Sequence, residues 1–229
     1  MFQSSYEKLG DEAEASTTHV DGVVVGRPYY PPLSGSPIAV IGRQFCAPYA
    51  VDLVIVRKVM SMTDGNFSVR DVNGNTMFKM KAQFGSFRGR RVLVDASGSP
   101  IVSMQKKLLS TRDRWKVFKG DSKAPEDLIF SAKRSSLFQY KTKLNVFLAS
   151  NTTEAFSDFK VKGSWFERSC KIYNGNADTL IAQMRMKHTA SSLLIGKDTF
   201  MVTVCPNVDY AFVAALIVIL DAINRDSVN

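Results

Sequence analysis

From Val51 to Val204 the chain alternates apolar and polar residues in short bursts. The segments VDLVIVRKVMS, FSVRDV, TMFKMKA, RVLVDA, PIVSMQKKL, RWKVFKG, DLIFSAKR, LFQYKTKLNVFLA, FSDFKVKG, WFERSCKIYN, TLIAQMRMK, SSLLIGK and DTFMVTVC mostly follow this two-residue period. A period of two puts successive side chains on opposite faces of an extended chain, so each segment reads as a half-buried β-strand. Hairpin chemistry separates them: DVNGN at 71–75, DASGSP at 95–100, NGNAD at 174–178 and GKD at 196–198. Turns this short join antiparallel neighbours, whereas parallel strands need long crossovers. The pattern predicts an antiparallel meander of about a dozen strands, with room for a helical turn or two in KKLLSTRDRW.

One segment breaks the pattern. VDYAFVAALIVILDAIN, residues 208–224, holds no charged residue between Tyr210 and Leu220. That uninterrupted run of 11 residues is bounded by Asp209 and Asp221, well short of the roughly 20 apolar residues a spanning helix needs. Ala211, Ala214, Ala215 and Ala222 favour a helix over a strand. Pro206 and Asn207 supply a breaker and an expected N-cap, Asp209 falls in the first turn, and Asp221 and Arg225 are spaced i, i+4. A helix apolar on every side has no face to offer water and must be enclosed by protein. Side chains alone fill a barrel of about eight strands, so a larger ring needs other contents. The fold class expected is therefore mainly β: an antiparallel closed β-barrel of about 12 strands around a central buried C-terminal α-helix.

Residues 1–45 behave differently. They are rich in Ser, Thr, Pro and Gly, including RPYYPPLSGSP, and read as a flexible, largely disordered leader. Val23–Val25 and Ile38–Ile41 are its candidate ordered pieces. Residues 46–226 form the expected barrel domain. Charge follows the same division. Residues 1–50 carry three basic and five acidic side chains, net −2, and residues 51–229 carry 27 and 16, net +11. The folded part is the cationic part, which favours anionic partners.

Catalytic and metal chemistry find little support. His19 and His188 stand apart, and Cys46, Cys170 and Cys205 form no CxxC or Cys/His cluster. DVNGN begins like a calcium loop but continues with Thr76 and Ala82 where such a loop needs Gly and Glu. No nucleophile-elbow, phosphate-loop or dinucleotide signature occurs. The sequence reading is a non-enzymatic protein without cofactor, catalytic residue or metal. The N-terminus lacks a signal-peptide pattern and the cysteines suit a reducing compartment. The expectation is an intracellular, cytoplasmic protein, with peripheral membrane or nuclear placement as alternatives.

Anion binding is what remains. Basic residues recur two apart at Lys79/Lys81, Lys141/Lys143, Lys160/Lys162 and Arg185/Lys187, joined by Lys106-Lys107, Lys133-Arg134 and the RGRR run ending at Arg91. On a strand, i and i+2 share a face, so such pairs project outward together and form a patch wherever they fall on neighbouring strands. The candidate anion or lipid-headgroup residues are Lys133, Arg134, Lys141, Lys143, Arg185 and Lys187.

The segments VDLVIVRKVMSMTDGNFSVRDVNGNTMFKMK, DRWKVFKG, KRSSLFQYKTKLNVFLA, FKVKGSWFERSCKIY and PNVDYAFVAALIVILDAIN resemble the plant LURP-one-related family, over roughly residues 38–225. This family is similar in architecture to the tubby C-terminal and phospholipid scramblase proteins. The resemblance implies a 12-stranded barrel threaded by its C-terminal helix. It implies little about activity: tubby-like relatives bind phosphoinositides through basic residues and are linked to transcription, and scramblase-like relatives are lipidated and bind calcium. The scramblase-like cysteine cluster and spanning segment are missing here. Arg185-Met186-Lys187 is similar in spacing to the basic pair of tubby, in reversed order. Expected partners are anionic phospholipid headgroups through a basic barrel face and proteins through the leader, with nucleic acid the weaker alternative.

Overall fold

The computed structural model describes residues 35–57, 67–82, 89–107, 113–135, 142–175, 178–185 and 199–225. Twelve of the alternating segments are strands: β1 (Val51–Arg57), β2 (Phe67–Arg70), β3 (Thr76–Ala82), β4 (Arg91–Asp95), β5 (Pro100–Lys106), β6 (Arg114–Lys119), β7 (Leu128–Arg134), β8 (Thr142–Leu148), β9 (Phe159–Gly163), β10 (Lys171–Asn174), β11 (Thr179–Arg185) and β12 (Thr199–Val204). Each pairs antiparallel with its neighbours in sequence, and β1 pairs with β12 to close the ring. At that seam Leu53 lies opposite Val202 and Ile55 opposite Phe200. Closure leaves no unpaired strand edge. The expected closed meander is what forms. SSLLIGK, GKD at 196–198 and residues 108–112 of KKLLSTRDRW lie outside the described residues.

Several strands are shorter than their segments: FSVRDV is extended over Phe67–Arg70 and FSDFKVKG over Phe159–Gly163. WFERSCKIYN is extended only over Lys171–Asn174. Arg168 adopts a positive φ of 53°, and Gly163 before it one of 138°. Neither continues an extended run, so residues 164–169 turn instead.

The helix α1 (Tyr210–Arg225) fills the ring. From Ala211 to Leu220 every residue is at most 1% exposed, so all its faces are covered. Inward-facing residues such as Leu53, Val69, Leu93, Met104 and Val146 are fully buried around it. Sixteen residues span about 24 Å as a helix, and strands of seven residues reach about the same at 3.3 Å each. Phe212 marks the densest contact: its ring lies 5.2 Å from Phe130, edge to face, and 4.8 Å from Phe159.

Two aspartates fix the ends of the helix. Asp209, fully buried, is the N-cap. Its Oδ1 accepts the Phe212 N–H at 2.9 Å, and its Oδ2 accepts the N–H groups of Val40, Ile41 and Gly42 at 3.1, 2.7 and 3.0 Å. Asn207, the expected cap, instead takes a positive φ of 60° in the turn before the helix. A carboxylate satisfies four donors at once, which an amide oxygen does less strongly. At the other end Asp221, 1% exposed, sits 2.9 Å from the Arg57 guanidinium of β1. An acid near a helix C-terminus meets the negative end of the dipole, and the Arg57 charge offsets it. We call the end of the barrel where α1 begins the upper rim and the end where it finishes the lower rim.

The Asp209 contacts also move a boundary. Residues 38–45, assigned from sequence to the leader, are joined to the barrel. Ile38 donates to Asn207 O at 2.9 Å, Asp209 donates to Ile38 O at 3.0 Å, and Phe45 packs edge-on to Tyr210 at 5.6 Å. The ordered piece expected at Ile38–Ile41 is present; Val23–Val25 lies outside the described residues. The three cysteines are free thiols. Burial pushes the Cys205 thiol up to about 11.

Candidate anion-binding face

Strand register brings lysines together on the outside of the barrel. Lys143 on β8 lies directly opposite Lys162 on β9, and Lys162 directly opposite Lys171 on β10. The inward alternates, Leu144, Val161 and Ile172, are buried, so all three lysines point outward, and all three are exposed. One step toward the upper rim, Lys133 on β7 faces Asn145 on β8, and Asn145 faces Lys160 on β9. Five lysines thus occupy the outer face of four consecutive strands.

Little opposes this charge. Among the described residues the acid that reaches the strip is Asp178, 3.5 Å from Lys162, with both groups about half or more exposed. Lys160 donates to the Gly175 carbonyl at 3.3 Å. Lys162 also lies 5.2 Å from the centre of the Tyr173 ring, which covers that aromatic face. Like charges directly opposite in a sheet repel, costing a few tenths to about 1 kcal/mol per pair. The strip holds two such pairs in a row.

The predicted residues divide. Lys133 and Lys143 lie in or beside the strip. Arg185 is on the outward parity of β11, two residues past Gln183, which faces Lys171. It therefore borders the strip at the lower rim. Arg134 does not join: it follows Phe130 and Ala132 on the inward parity of β7 and pairs with Asp113 at 3.6 Å. Adjacent residues on a strand take opposite faces, which separates it from Lys133. Lys141 and Lys187 lie outside the described residues. Lys171 was missed from sequence because it stands alone in SCKIY. Its partner is visible only once the β9–β10 register is known.

Other basic groups are committed elsewhere. Arg90 is buried and holds Asp121 at 2.6 Å; Arg91 stacks over Trp115 at 5.0 Å. Lys106 pairs with Asp113 at 2.9 Å, and Arg114 with Glu154. In the DVNGN hairpin both Asp71 oxygens are spent on its own turn, accepting from Asn73 N, Asn75 N and Asn75 Nδ2 at 2.8–2.9 Å. The Asn75 side chain holds the Asp71 carboxyl below its usual range, and the Ser97 hydroxyl does the same for Asp95.

A cleft of about 410 Å³ opens at the upper rim between Phe45, Thr76, Phe78, Asp95, Ser97 and Tyr210. Its polar groups are largely occupied: Asp95 Oδ1 accepts from Ser97 Oγ and Ser99 N. Burial, then the nearby Asp209 charge, raises the Tyr210 hydroxyl pKa. Among the described residues no helix is long and apolar enough to cross a membrane.

These features define a class: an up-and-down antiparallel barrel whose lumen is taken by its own C-terminal helix, with charged chemistry gathered on the outer wall. The LURP-one-related family model matches residues 51–221, and the chain belongs to that family. It is 52% identical to Protein LURP-one-related 15 of Arabidopsis thaliana over 198 residues, covering 84% of this chain and 91% of that one. It is 47% identical to Protein LURP1 of the same plant over 189 residues, 82% and 91% of the two chains. The crystal structure of another Arabidopsis thaliana protein superposes with a TM-score of 0.66 at 46% identity, covering 81% of this chain and 98% of that one.

Proposed function

We propose that this protein is a non-enzymatic module that docks on anionic membranes by recognising phosphoinositide headgroups with the Lys143–Lys162–Lys171 strip. The observation that carries the reading is the register: three exposed lysines directly opposite one another, with Asp178 the described acid that pairs with them. A compact, multiply charged anion relieves their mutual repulsion. Adjacent strands lie about 4.8 Å apart, so the three ammonium groups span about 10 Å, close to the size of a phosphorylated sugar ring. Each basic residue near an anionic membrane contributes about 1 kcal/mol. The architectural likeness to tubby-like proteins supports the same reading.

Nucleic acid fits less well. Single-stranded binding stacks successive bases on several exposed aromatic platforms beside the cations; here Tyr173 is half-buried and covered by Lys162, which leaves Phe166 as the exposed ring near the strip among the described residues.

The test is sedimentation with phosphatidylcholine vesicles, with and without phosphatidylinositol bisphosphate. The wild-type chain is expected to bind only the phosphoinositide vesicles, less tightly as salt rises. Lys143→Glu/Lys162→Glu/Lys171→Glu is expected to weaken binding at least about 100-fold. Binding unchanged by the triple reversal overturns the proposal.

A further inference from the structure

Of the four large apolar side chains exposed among the described residues, Tyr49, Val72, Phe156 and Phe166, only Phe166 lies at the lower rim beside the lysine strip. It sits in the β9–β10 connection, so Lys162 and Lys171 flank it in sequence and across the hairpin. Its ring is 62% exposed, whereas that of the preceding Trp165 is 3% exposed.

This exposure is built in. Trp165 turns back over the rim and meets the inward-facing Phe200 edge-on at 5.6 Å. The Arg168 guanidinium covers both rings, 4.8 Å from Trp165 and 4.5 Å from Phe200. Hydrogen bonds close the loop on itself: Ser169 N–H to Ser164 O at 3.0 Å, Ser164 N–H to Ser169 Oγ at 3.2 Å, and Glu167 N–H to Ser164 Oγ at 3.2 Å. At its neck a Cβ on Gly163 would fall 2.6 Å from Ser169 O, so the two arms of the loop meet closer than any other residue permits. One aromatic ring is thereby anchored inside and the next is held out in water. A large ring fixed at the tip of a pinned loop, beside cations, suits the boundary between headgroups and acyl chains.

We infer that Phe166 is a membrane anchor, inserting below the headgroups while the flanking lysines hold the phosphates. This rests on the reading of the strip as a lipid-headgroup site. The occupant is a phosphoinositide-bearing bilayer, because charge complementarity with Lys143, Lys162 and Lys171 accompanies the apolar tip. Exposed Glu167, next to Phe166, opposes an anionic surface and weakens the docking.

The experiment separates the ring from the charges. Affinity is measured for phosphoinositide vesicles and, separately, for soluble inositol trisphosphate, in the wild type, Phe166→Ala and Lys143→Glu/Lys162→Glu. Phe166→Ala is expected to weaken vesicle binding about ten-fold, the burial free energy of one large apolar side chain, and to leave soluble headgroup affinity unchanged. The lysine reversals are expected to lose both. Glu167→Gln is expected to strengthen vesicle binding. In Phe166→Trp, vesicles are expected to shift the new indole emission to the blue, since Trp115 and Trp165 are already buried. If Phe166→Ala binds vesicles like the wild type, or the Phe166→Trp emission does not move, the anchor is overturned and the headgroup reading stands. If the wild type binds neither vesicles nor soluble headgroup, both fall.

Discussion

The two rims of the barrel are built on opposite principles. At the upper rim, where Arg70 and Lys119 are the strand-end cations, the carboxylates are used up locally. Asp71 and Asp95 tie their own hairpins, Asp158 accepts from Leu148 N and Asn151 Nδ2, and Asp209 ties the helix start to residues 40–42. At the lower rim the strand ends carry cations: Arg57, Arg91, Lys106, Arg114, Arg134, Lys171 and Arg185. Several are locked in pairs, but the lysines of β8, β9 and β10 face one another. Polarity is shared with the helix, whose positive N-terminal end meets Asp209 and whose negative C-terminal end lies near Arg57. The difference teaches which charges maintain the fold and which are set out at a cost to it.

Mutations that attack the filled lumen are expected to have the largest effect. Phe212→Ala removes the ring between Phe130 and Phe159 and is expected to cost about 3–5 kcal/mol, read as a lower denaturant midpoint. Asp209→Ala strips four N–H groups of their acceptor and is expected to cost about 3 kcal/mol or more. It is also expected to speed amide exchange at Val40, Ile41 and Gly42. Gly163→Ala, at the neck of the lower-rim loop, is expected to cost about 1–3 kcal/mol from backbone strain, measurable as a fall in melting temperature.

The strip is expected to behave in the reverse sense. Lys143→Gln removes the like-charge pair with Lys162 and is expected to stabilise the barrel by a few tenths to about 1 kcal/mol while weakening anion binding. A strip maintained for structure would lose stability instead. The smallest effect is at the upper-rim turns. Asp71 and Asp95 are held below their usual range when folded. Their stabilising contribution is therefore present above the ordinary carboxylate pKa and is lost as pH falls through the lowered values. Amide shifts of Asn75 and Ser99 followed in acid are expected to report the turns opening, with the β8–β10 ladder unchanged.

Much of the architecture was legible from alternation, because a period of two specifies a strand face without knowledge of its partner. The apolar run at 208–224 likewise required a surrounding wall. What alternation does not carry is register. It paired Lys133 with Arg134 by adjacency, although neighbours on a strand point opposite ways. It passed over Lys171, which matters only through its place opposite Lys162. The cap was read at Asn207 rather than at Asp209, because the acceptor's role depends on residues 40–42, about 170 positions earlier. Phe166 gave no signal, since an exposed and a buried aromatic read alike in sequence.

The most direct test is a titration of the isotope-labelled protein with soluble inositol trisphosphate, followed amide by amide. The account predicts saturable shifts centred on Lys143, Lys162 and Lys171, with residues 211–220 of the enclosed helix unmoved. Shifts centred instead on the upper-rim cleft at Phe78, Asp95 and Tyr210, or none anywhere, would contradict it.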